Sequence, residues 1–440
     1  MSRCTGSLPS AIMVARQLQT GVTIRFAENQ PVTRVARWIF GFGYVAAWGI
    51  VGWLYWGPLT DLDFFFLPAV RIALSGHPLL VYTVRFQSVI ANDNGPLGLV
   101  PITAVAAIVS RLGGGDDTRL LRAVILAALS IFSLLMAREA VAAIDRLRGA
   151  SLVGLSRLLA YGIFTASPIL WISVLGYGHV EQPMMLWLVL LAVRTLADDR
   201  PAAAGITLGL ALLTRSLAAL PMIPLGLLLL ARGRWRALTW FAASAALVVA
   251  LGLLPYLRAD PTDTIYSLVT HRGTLPVGGG SIWQLLVGTP YQWMPQHWDI
   301  LFVLGLAVLL SLIVIAARKD LEPASRDIYG LLALTALALP LLAKSVWPYY
   351  FLDAYVFGAV WWLGQANPLA LGRRLLGASI PLIAVLGTLL TEYEMGLNTA
   401  RIRVAEGLPM GVLLAVLTAV LAGRLRRERM PSEPRTALRS

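Results

Sequence analysis

Asp61 and Asp63 stand two residues apart in the segment 58–78, directly after a very apolar stretch. An ionised carboxylate beside hydrocarbon is costly unless it faces water, a cation or a partner. In an extended segment, residues two apart project to the same side, so both carboxylates would look into one cavity. There the pair can act as a general base, or hold Mg or Mn against phosphate oxygens. The alternative is a solvated acidic helix start, because capping and the helix dipole favour Asp there.

A second polar cluster lies in the segment Gly176–Pro183, which contains His179 and Glu181. The apolar run at about 155–174 predicts a membrane-spanning helix that is directed outward. This helix would deliver His179 and Glu181 to the membrane face that carries Asp61 and Asp63. The sequence therefore predicts that an acid and a histidine of one loop meet the carboxylates of another.

The apolar stretch 203–231 has basic residues on both sides, Arg200 before it and a group that begins with Arg232 after it. Basic flanks mark the cytoplasmic side, so both ends should be cytoplasmic. These 29 residues cannot cross the bilayer twice as full helices, which need about 20 residues each. We expect two short helices that meet near 214–216 and hold Arg215 at membrane depth, where broken helices line a cavity. An arginine there binds an anion such as a phosphate, or pairs structurally with a neighbouring carboxylate.

A second outer loop is expected over 258–297, where glycines stand among aromatics such as Trp283. This composition suggests a mobile loop that covers a ligand, since sugar rings stack on aromatic faces. An interfacial aromatic belt is the alternative. Lys344 and Tyr349 follow in a third outer segment. Lys344 would contact a donor phosphate or extend its ammonium group to the interface.

The composition excludes a soluble domain, because only 13% of the 440 residues are charged and 58% are hydrophobic. Soluble domains carry roughly 25% charged residues. The net charge of +13 suits the cytoplasmic loops of a membrane protein and contact with anionic membrane lipid. Nucleic-acid binding is not indicated, since no basic surface with interleaved aromatics is visible. The single cysteine, Cys4, excludes a disulfide framework and a cysteine-based metal site.

The fold class that follows is an all-α polytopic membrane protein with a bundle of about 10–12 transmembrane helices. Residues 1–34 are expected to form a cytoplasmic tail, 35–423 a single membrane domain and 424–440 a basic cytoplasmic tail. The first outer loop covers 58–118 and carries interfacial helices. Its apolar run 97–109 is short for a span, although a true span that ends at Arg111 is the alternative. We expect spans at about 35–56, 120–136, 155–174, 184–196, 238–257, 300–316, 328–343, 350–363, 377–390 and 409–423.

Four short motifs in order resemble the GT-C superfamily of polytopic glycosyltransferases. Within it, the chain is similar to polyprenol-phosphate-sugar-dependent bacterial mannosyltransferases and to the enzyme that adds the first mannose of GPI anchors. The motifs cover roughly 35–230 and are the Asp61–Asp63 loop with Gly76–Pro78, Asn94–Leu97, Gly176–Gln182 and Ala204–Arg215. Asn94–Leu97 lacks the tyrosines of the family's Tyr-x-Tyr-x-Pro-Leu, and Arg215 stands where the family usually has Lys.

The resemblance implies transfer of a sugar, with mannose expected, from a polyprenyl-phosphate donor to a lipid or glycan acceptor, with inversion at the anomeric carbon. It implies that the reaction takes place on the extracytoplasmic side of a bacterial plasma membrane. Asp61 or Asp63 would be the base, with Mg or Mn as the metal if one is used, and Arg215 and Lys344 would hold the leaving phosphate. The further substrate-binding candidates are Arg71, His77, Arg85, Trp283 and Tyr349.

Two other functions compete with sugar transfer. A transporter or lipid flippase would place ionisable groups at the bilayer midplane in two matched halves. A catalytically inactive scaffold is the third possibility.

Overall fold

The computed structural model describes residues 31–55, 57–278 and 281–365, together with single residues between 415 and 425. The spans expected at 377–390 and 409–423, and most of both expected tails, lie outside the described residues. The chain divides into two compact units, residues 1–44 and 45–440, and the site described below lies entirely in the second.

The described chain is helical almost throughout, which confirms the all-α class. The helices are α1 Pro31–Leu54, α2 Leu67–Leu74, α3 Pro96–Arg111, α4 Thr118–Arg148, α5 Gly154–Thr165, α6 Pro168–Trp171, α7 Gln182–Ala197, α8 Pro201–Thr214, α9 Ala219–Ala231, α10 Trp235–Ala259, α11 Pro261–Ile265, α12 His271–Thr274, α13 Trp293–Ala317, α14 Asp327–Ala336, α15 Ala338–Leu342 and α16 Phe351–Leu363. One two-stranded antiparallel hairpin, β1 Arg85–Phe86 and β2 Ile90–Ala91, lies between α2 and α3.

Among the described residues, four helical stretches are long and apolar enough to cross a membrane. They are Thr118–Arg148, Ser156–Gly176, Trp235–Ala259 and Trp293–Ala317. Shorter apolar helices stand between them, so the predicted spans at 120–136, 155–174, 238–257 and 300–316 are each found as helices. The described chain is therefore that of a polytopic membrane protein.

The stretch 203–231 forms the predicted broken pair. Helix α8 ends at Thr214, Arg215 is extended (φ −156°, ψ 134°), and α9 begins at Ala219 after one short 3₁₀ turn. Helices of this length are about 20 Å long, well short of the hydrocarbon thickness of about 30 Å. The charge pattern of the two flanks thus predicted the break at the correct residue.

The expectation that Asp61 and Asp63 lie in an extended segment is wrong. Asp61 has helical backbone angles (φ −69°, ψ −37°), and the π-helical turn Leu62–Phe66 follows it and leads into α2. In a helix, successive residues are rotated by about 100°, so residues two apart point in nearly opposite directions. The two carboxylates therefore have different surroundings, as the site shows.

The contacts at the two ends of the segment that contains α3 bear on whether this helix crosses the bilayer. Asn94, just before α3, lies beside Asp61, and Arg122, in the first turns of α4, binds Asp63. A crossing would separate the two ends of this segment by about 30 Å. Asn94 and Arg122 contact Asp61 and Asp63, which are only two positions apart in the chain, so both ends of the segment lie close together. These contacts favour the interfacial interpretation of 97–109 over a true span.

The helix ends that lie away from Asp61 are joined by arginines. Arg194, in the last turn of α7, binds Glu139 of α4 at 2.7 Å. Arg232, directly after α9, donates to the Leu321 carbonyl at 2.6 Å, and Arg318, directly after α13, pairs with Asp327. The basic residues of the helix ends thus gather at the end of the bundle opposite to the site.

Candidate functional site

Asp61 meets His179 in the structure, although 118 positions separate them in the chain. The Oδ2 atom of Asp61 lies 3.2 Å from Nδ1 of His179 and accepts a hydrogen bond of 3.5 Å from the side-chain nitrogen of Asn94. The histidine is buried, whereas 21% of the Asp61 side chain remains exposed. One carboxylate therefore stands between a buried polar interior and the space outside it.

His179 is held in turn by a buried ion pair. Arg215 pairs with Glu181 and places its second terminal nitrogen 3.3 Å from Nε2 of His179. Because a guanidinium can only donate, Nε2 accepts and the ring hydrogen belongs on Nδ1, where Asp61 and Glu181 are both within 3.4 Å. Asp61, His179, Glu181 and Arg215 are named the polar cluster below.

The polar cluster confirms that His179 and Glu181 of one loop meet Asp61 of the other, and Arg215 joins them from the break between α8 and α9. It also shows that the structural alternative for Arg215, a pair with a neighbouring carboxylate, is realised. The ring of Tyr349 packs edge-on to His179 with centroids 4.0 Å apart, and the Arg215 guanidinium lies 5.0 Å from the same ring centroid. Tyr349 thus forms an aromatic wall of the cluster, in the position that the sequence assigned to a substrate-binding residue.

Two glycines permit the segments to approach this closely. Gly178 has φ +73°, and a Cβ atom there would lie 2.6 Å from the Leu62 nitrogen. A Cβ at Gly95 would lie 2.0 Å from the Leu213 carbonyl oxygen. Neither position has room for a side chain, so glycine is required where the His179 loop meets the Asp61 turn and where the lead-in to α3 meets the end of α8.

A backbone bridge joins the lead-in to α3 to the break between α8 and α9. Asn94 and Arg215 pair as an isolated antiparallel β-bridge, and the Tyr82 hydroxyl donates to the Asn94 carbonyl at 3.1 Å. Unpaired backbone groups are costly in a low-dielectric setting, so the bridge gives the broken helix a partner for its freed groups.

Asp63 is bound away from the polar cluster. Arg122 grips it with two parallel bonds, Nε to Oδ1 at 2.8 Å and a terminal nitrogen to Oδ2 at 2.5 Å, and the Leu59 amide donates to Oδ2 at 2.7 Å. A bidentate arginine satisfies a carboxylate strongly. The expectation that Asp61 and Asp63 face one cavity, and with it their joint metal site, is therefore wrong. Among the described residues, no group of three or more His, Cys, Asp or Glu side chains has the arrangement of a metal site.

Lys344 is buried rather than placed at a cavity mouth. Its ammonium group donates to the carbonyls of Arg272, Leu275 and Gln296, the last two at 2.9 and 2.7 Å. These bonds use all three of its N–H groups, so none is left for a phosphate. Burial lowers the pKa of Lys344 to about 8, with Asp299 opposing the shift. The expected contact with a donor phosphate does not fit this arrangement.

The second outer loop is fastened in its described part, which contradicts the expected mobile cover. The Trp283 indole donates to the Leu342 carbonyl at 2.7 Å, and its ring packs on Phe302. Ser281 donates to the Ala343 carbonyl at 2.7 Å. Trp283 is thus committed to holding the loop.

Three further candidates lie outside the polar cluster. Arg85 joins the two outer loops through Asp263 at 2.5 Å and lies over the ring of Tyr266. Arg71 and His77 are exposed at the end of α2 and after it. Within the described chain, neither makes a hydrogen bond or ion pair with the cluster.

The residue between Asn92 and Asn94 was missed, because the sequence indicates only a polar turn there. Asp93 is partly exposed, and its carboxylate makes no hydrogen bond or ion pair with any residue that the structure describes. Its charge acts on Asp61. Burial raises the pKa of Asp61 from 3.8 to about 6, His179 opposes the shift, and Asp93 adds to it. For Glu181, burial alone would raise the pKa, but Arg215 and His179 together outweigh burial and lower the pKa from its usual value.

Comparisons with known proteins give little help. No family model matches the chain, and no curated protein does. Among solved structures, a similar chain is ArnT from Cupriavidus metallidurans bound to undecaprenyl phosphate, with 18% sequence identity and a TM-score of 0.46. The match covers 89% of this chain and 72% of that one. At this level of likeness, the function has to be inferred from the protein's own residues.

Proposed function

We propose that this protein is a membrane glycosyltransferase of the GT-C type, which moves a sugar from a polyprenyl-phosphate donor to a hydroxyl group of a lipid or glycan acceptor. The observation that carries the proposal is the position of Asp61. Its carboxylate is partly exposed, while the His179 ring beside it is buried and fixed by Arg215. A base that acts on an alcohol needs both access to the substrate and a fixed geometry.

In the proposed reaction, Asp61 accepts the proton of the acceptor hydroxyl. The acceptor oxygen forms a bond to the anomeric carbon from the side opposite to the phosphate, and the bond from that carbon to the phosphate oxygen breaks. Polyprenyl phosphate leaves with the bonding electrons, and the configuration is inverted. A pKa of about 6 suits Asp61 to this role, because it is ionised at neutral pH yet more basic than an ordinary aspartate.

His179 and Arg215 support this step in different ways. Nδ1 of His179 lies 3.2 Å from Oδ2 of Asp61, and the ring stabilises the negative charge of the carboxylate. Arg215 has five N–H bonds and uses one on Glu181 and one on His179, so others remain for the leaving phosphate. Charge that develops on a leaving phosphate in a site of low dielectric is strongly stabilised by such a cation.

The distribution of charges supports one side of the membrane for the proposed reaction. The helix ends opposite to the polar cluster carry the arginines, and loops rich in Arg and Lys stay in the cytoplasm. The proposal therefore places the reaction at the extracytoplasmic face of a bacterial plasma membrane. Mannose is the sugar that the sequence resemblance favours. A single Mg or Mn ion would have to be held by Asp61 and the donor phosphate, since Asp63 is bound to Arg122.

The test uses the full chain in lipid nanodiscs with undecaprenyl-phosphate-mannose, a panel of other undecaprenyl-phosphate sugars, and lipid and glycan acceptors. Mass spectrometry measures release of undecaprenyl phosphate and the glycosylated product. We expect release with at least one donor, a loss of about 10²–10⁴-fold in Asp61→Asn, and an unchanged rate in the exposed control Asp116→Asn. Absence of transfer with every donor would overturn the proposal. So would movement of an intact donor across the bilayer of proteoliposomes without loss of its sugar, since that behaviour defines a flippase.

A further inference from the structure

Asp93 lies next to the polar cluster, and the proposed reaction gives it no role. It lies between two buried asparagines that are both fixed. Asn92 accepts the Asn94 amide hydrogen at 3.0 Å, and Asn94 bridges to Arg215 through the backbone. The backbone of Asp93 is therefore held in place while its side chain is partly exposed.

Charged groups near the polar cluster otherwise have partners. Arg215 is paired with Glu181, Arg85 with Asp263 and Arg272 with Asp299. Asp93 makes no hydrogen bond or ion pair with any residue in the described part of the chain. A fixed, partly exposed and unpaired carboxylate contributes nothing to the fold that a neutral residue would not, and it repels Asp61.

The position of Asp93 relates it to both ends of the reacting bond. The next residue in the chain, Asn94, lies 3.5 Å from Asp61, which takes the acceptor proton, and bridges through its backbone to Arg215, to which the proposal assigns the leaving phosphate. The charge of Asp93 acts on both of these groups. In the proposed reaction the donor sugar lies between the acceptor oxygen and the phosphate, and Asp93 directly precedes the residue that touches the groups on both sides.

We infer that Asp93 is a specificity-determining residue of the proposed transferase, whose carboxylate accepts a hydrogen bond from a hydroxyl group of the donor sugar. The inference rests on the proposed function and adds the part of the substrate that Asp93 recognises, which is a hydroxyl group of the donor sugar. A hydrogen bond to a charged acceptor is worth roughly 1.5–3 kcal/mol, or about 10- to 150-fold in binding. A site that is built for a hydroxyl discriminates strongly against a sugar that lacks it.

The experiment compares wild type, Asp93→Asn, Asp93→Ser and the control Asp116→Asn. The probes are undecaprenyl-phosphate-mannose and analogues that each lack one ring hydroxyl. With wild type, one analogue should lose at least tenfold in kcat/KM relative to the parent. In both Asp93 variants, the parent should lose about as much through KM with kcat nearly unchanged, and that analogue should lose nothing further.

A second readout separates contact from structure. Asp93 repels the charge of Asp61, whose other charged neighbours are His179, Arg215 and Glu181. Removing it should move the acidic limb of the activity profile to lower pH, which a purely structural role would not do.

Every outcome decides the question. An unchanged KM for the parent, an equal penalty for the analogue in wild type and variant, or a kcat loss as large as that of Asp61→Asn would each overturn the inference. Failure of both Asp93 variants to fold, judged by thermal unfolding, would show a structural role and overturn it as well. Wild type that transfers no sugar would instead overturn the proposed function itself.

Discussion

Replacing Asp61 with Asn should lower turnover by about 10²–10⁴-fold and at the same time stabilise the fold at neutral pH. Burial makes the charged form of Asp61 unfavourable in the folded protein, which is why its pKa rises from 3.8 to about 6. Between these two values the folded protein holds a proton on Asp61 that the unfolded chain releases. The stability contributed by this group is complete below pH 3.8 and is lost as the pH rises through about 6.

The size of the effect follows from the shift. A rise of about 2 pKa units, at 1.36 kcal/mol each, costs the folded protein at most about 3 kcal/mol above pH 6. Because 21% of the side chain is exposed, solvent reduces this figure. Asn has nearly the same shape and keeps an oxygen toward His179, so it removes the charge without leaving a cavity.

The assay is thermal unfolding of the protein in nanodiscs from pH 4 to pH 8, with sugar transfer measured in parallel. At pH 7.5 the Asn variant should melt at a higher temperature than wild type. The difference should fall to about half by pH 5 and largely vanish by pH 4.

Asp63→Asn is the matched control and should behave in the opposite way. It breaks the bidentate bond to Arg122 and leaves a largely buried guanidinium without its carboxylate. We expect a loss of about 1.5–3 kcal/mol. If Asp61→Asn destabilises the fold as Asp63→Asn does, or if its gain in stability does not depend on pH, then burial of the Asp61 charge does not destabilise the fold and the reasoning is refuted.

Three further predictions concern the surroundings of the base. Glu181→Gln or Arg215→Met alone should cost about 3–5 kcal/mol in thermal or denaturant unfolding, and the double variant less than the sum, because each single change leaves a buried charge unpaired. Gly178→Ala should lower activity at least tenfold, because its Cβ would displace the His179 loop from Asp61, and a displacement of 1 Å costs on the order of 100-fold. Gly149→Ala has a similar positive φ but open space around it, so it should lower stability only. Lys344→Met should lower the melting temperature, since it leaves three carbonyls unpaired, but it should leave the KM for the donor unchanged; a raised KM would restore its phosphate role.

The sequence predicted the features that depend on segment length, hydrophobicity and flanking charge. The break at Arg215 could be found because basic flanks on a stretch too short to cross twice leave one physical solution. The meeting of the His179 loop with the Asp61 turn followed from the same topology. Tyr349 was placed beside the site by its position in an outer segment.

Pairings between distant residues could not be predicted in this way. The sequence around Asp63 does not indicate that it binds Arg122, which lies 59 positions away. This bond decides that Asp61, and not Asp63, faces the polar cluster. Likewise, a lysine beside aromatics gives no sign that three carbonyls of another segment surround it. Asp93 was overlooked because an Asn-Asp-Asn-Gly run is typical of a turn, and only the folded chain shows that its side chain has no partner.

The bridge between Asn94 and Arg215 has a consequence for engineering chimeras with related proteins. The strand-like residues on either side of this bridge satisfy each other's backbone groups, and no side chain chemistry is needed for that. A graft that exchanges only the region before α3, or only the elbow after α8, would change one partner of the bridge and leave buried backbone groups of the other unpaired. The donor specificity of the proposed transferase should therefore be transferred only when both stretches are exchanged together.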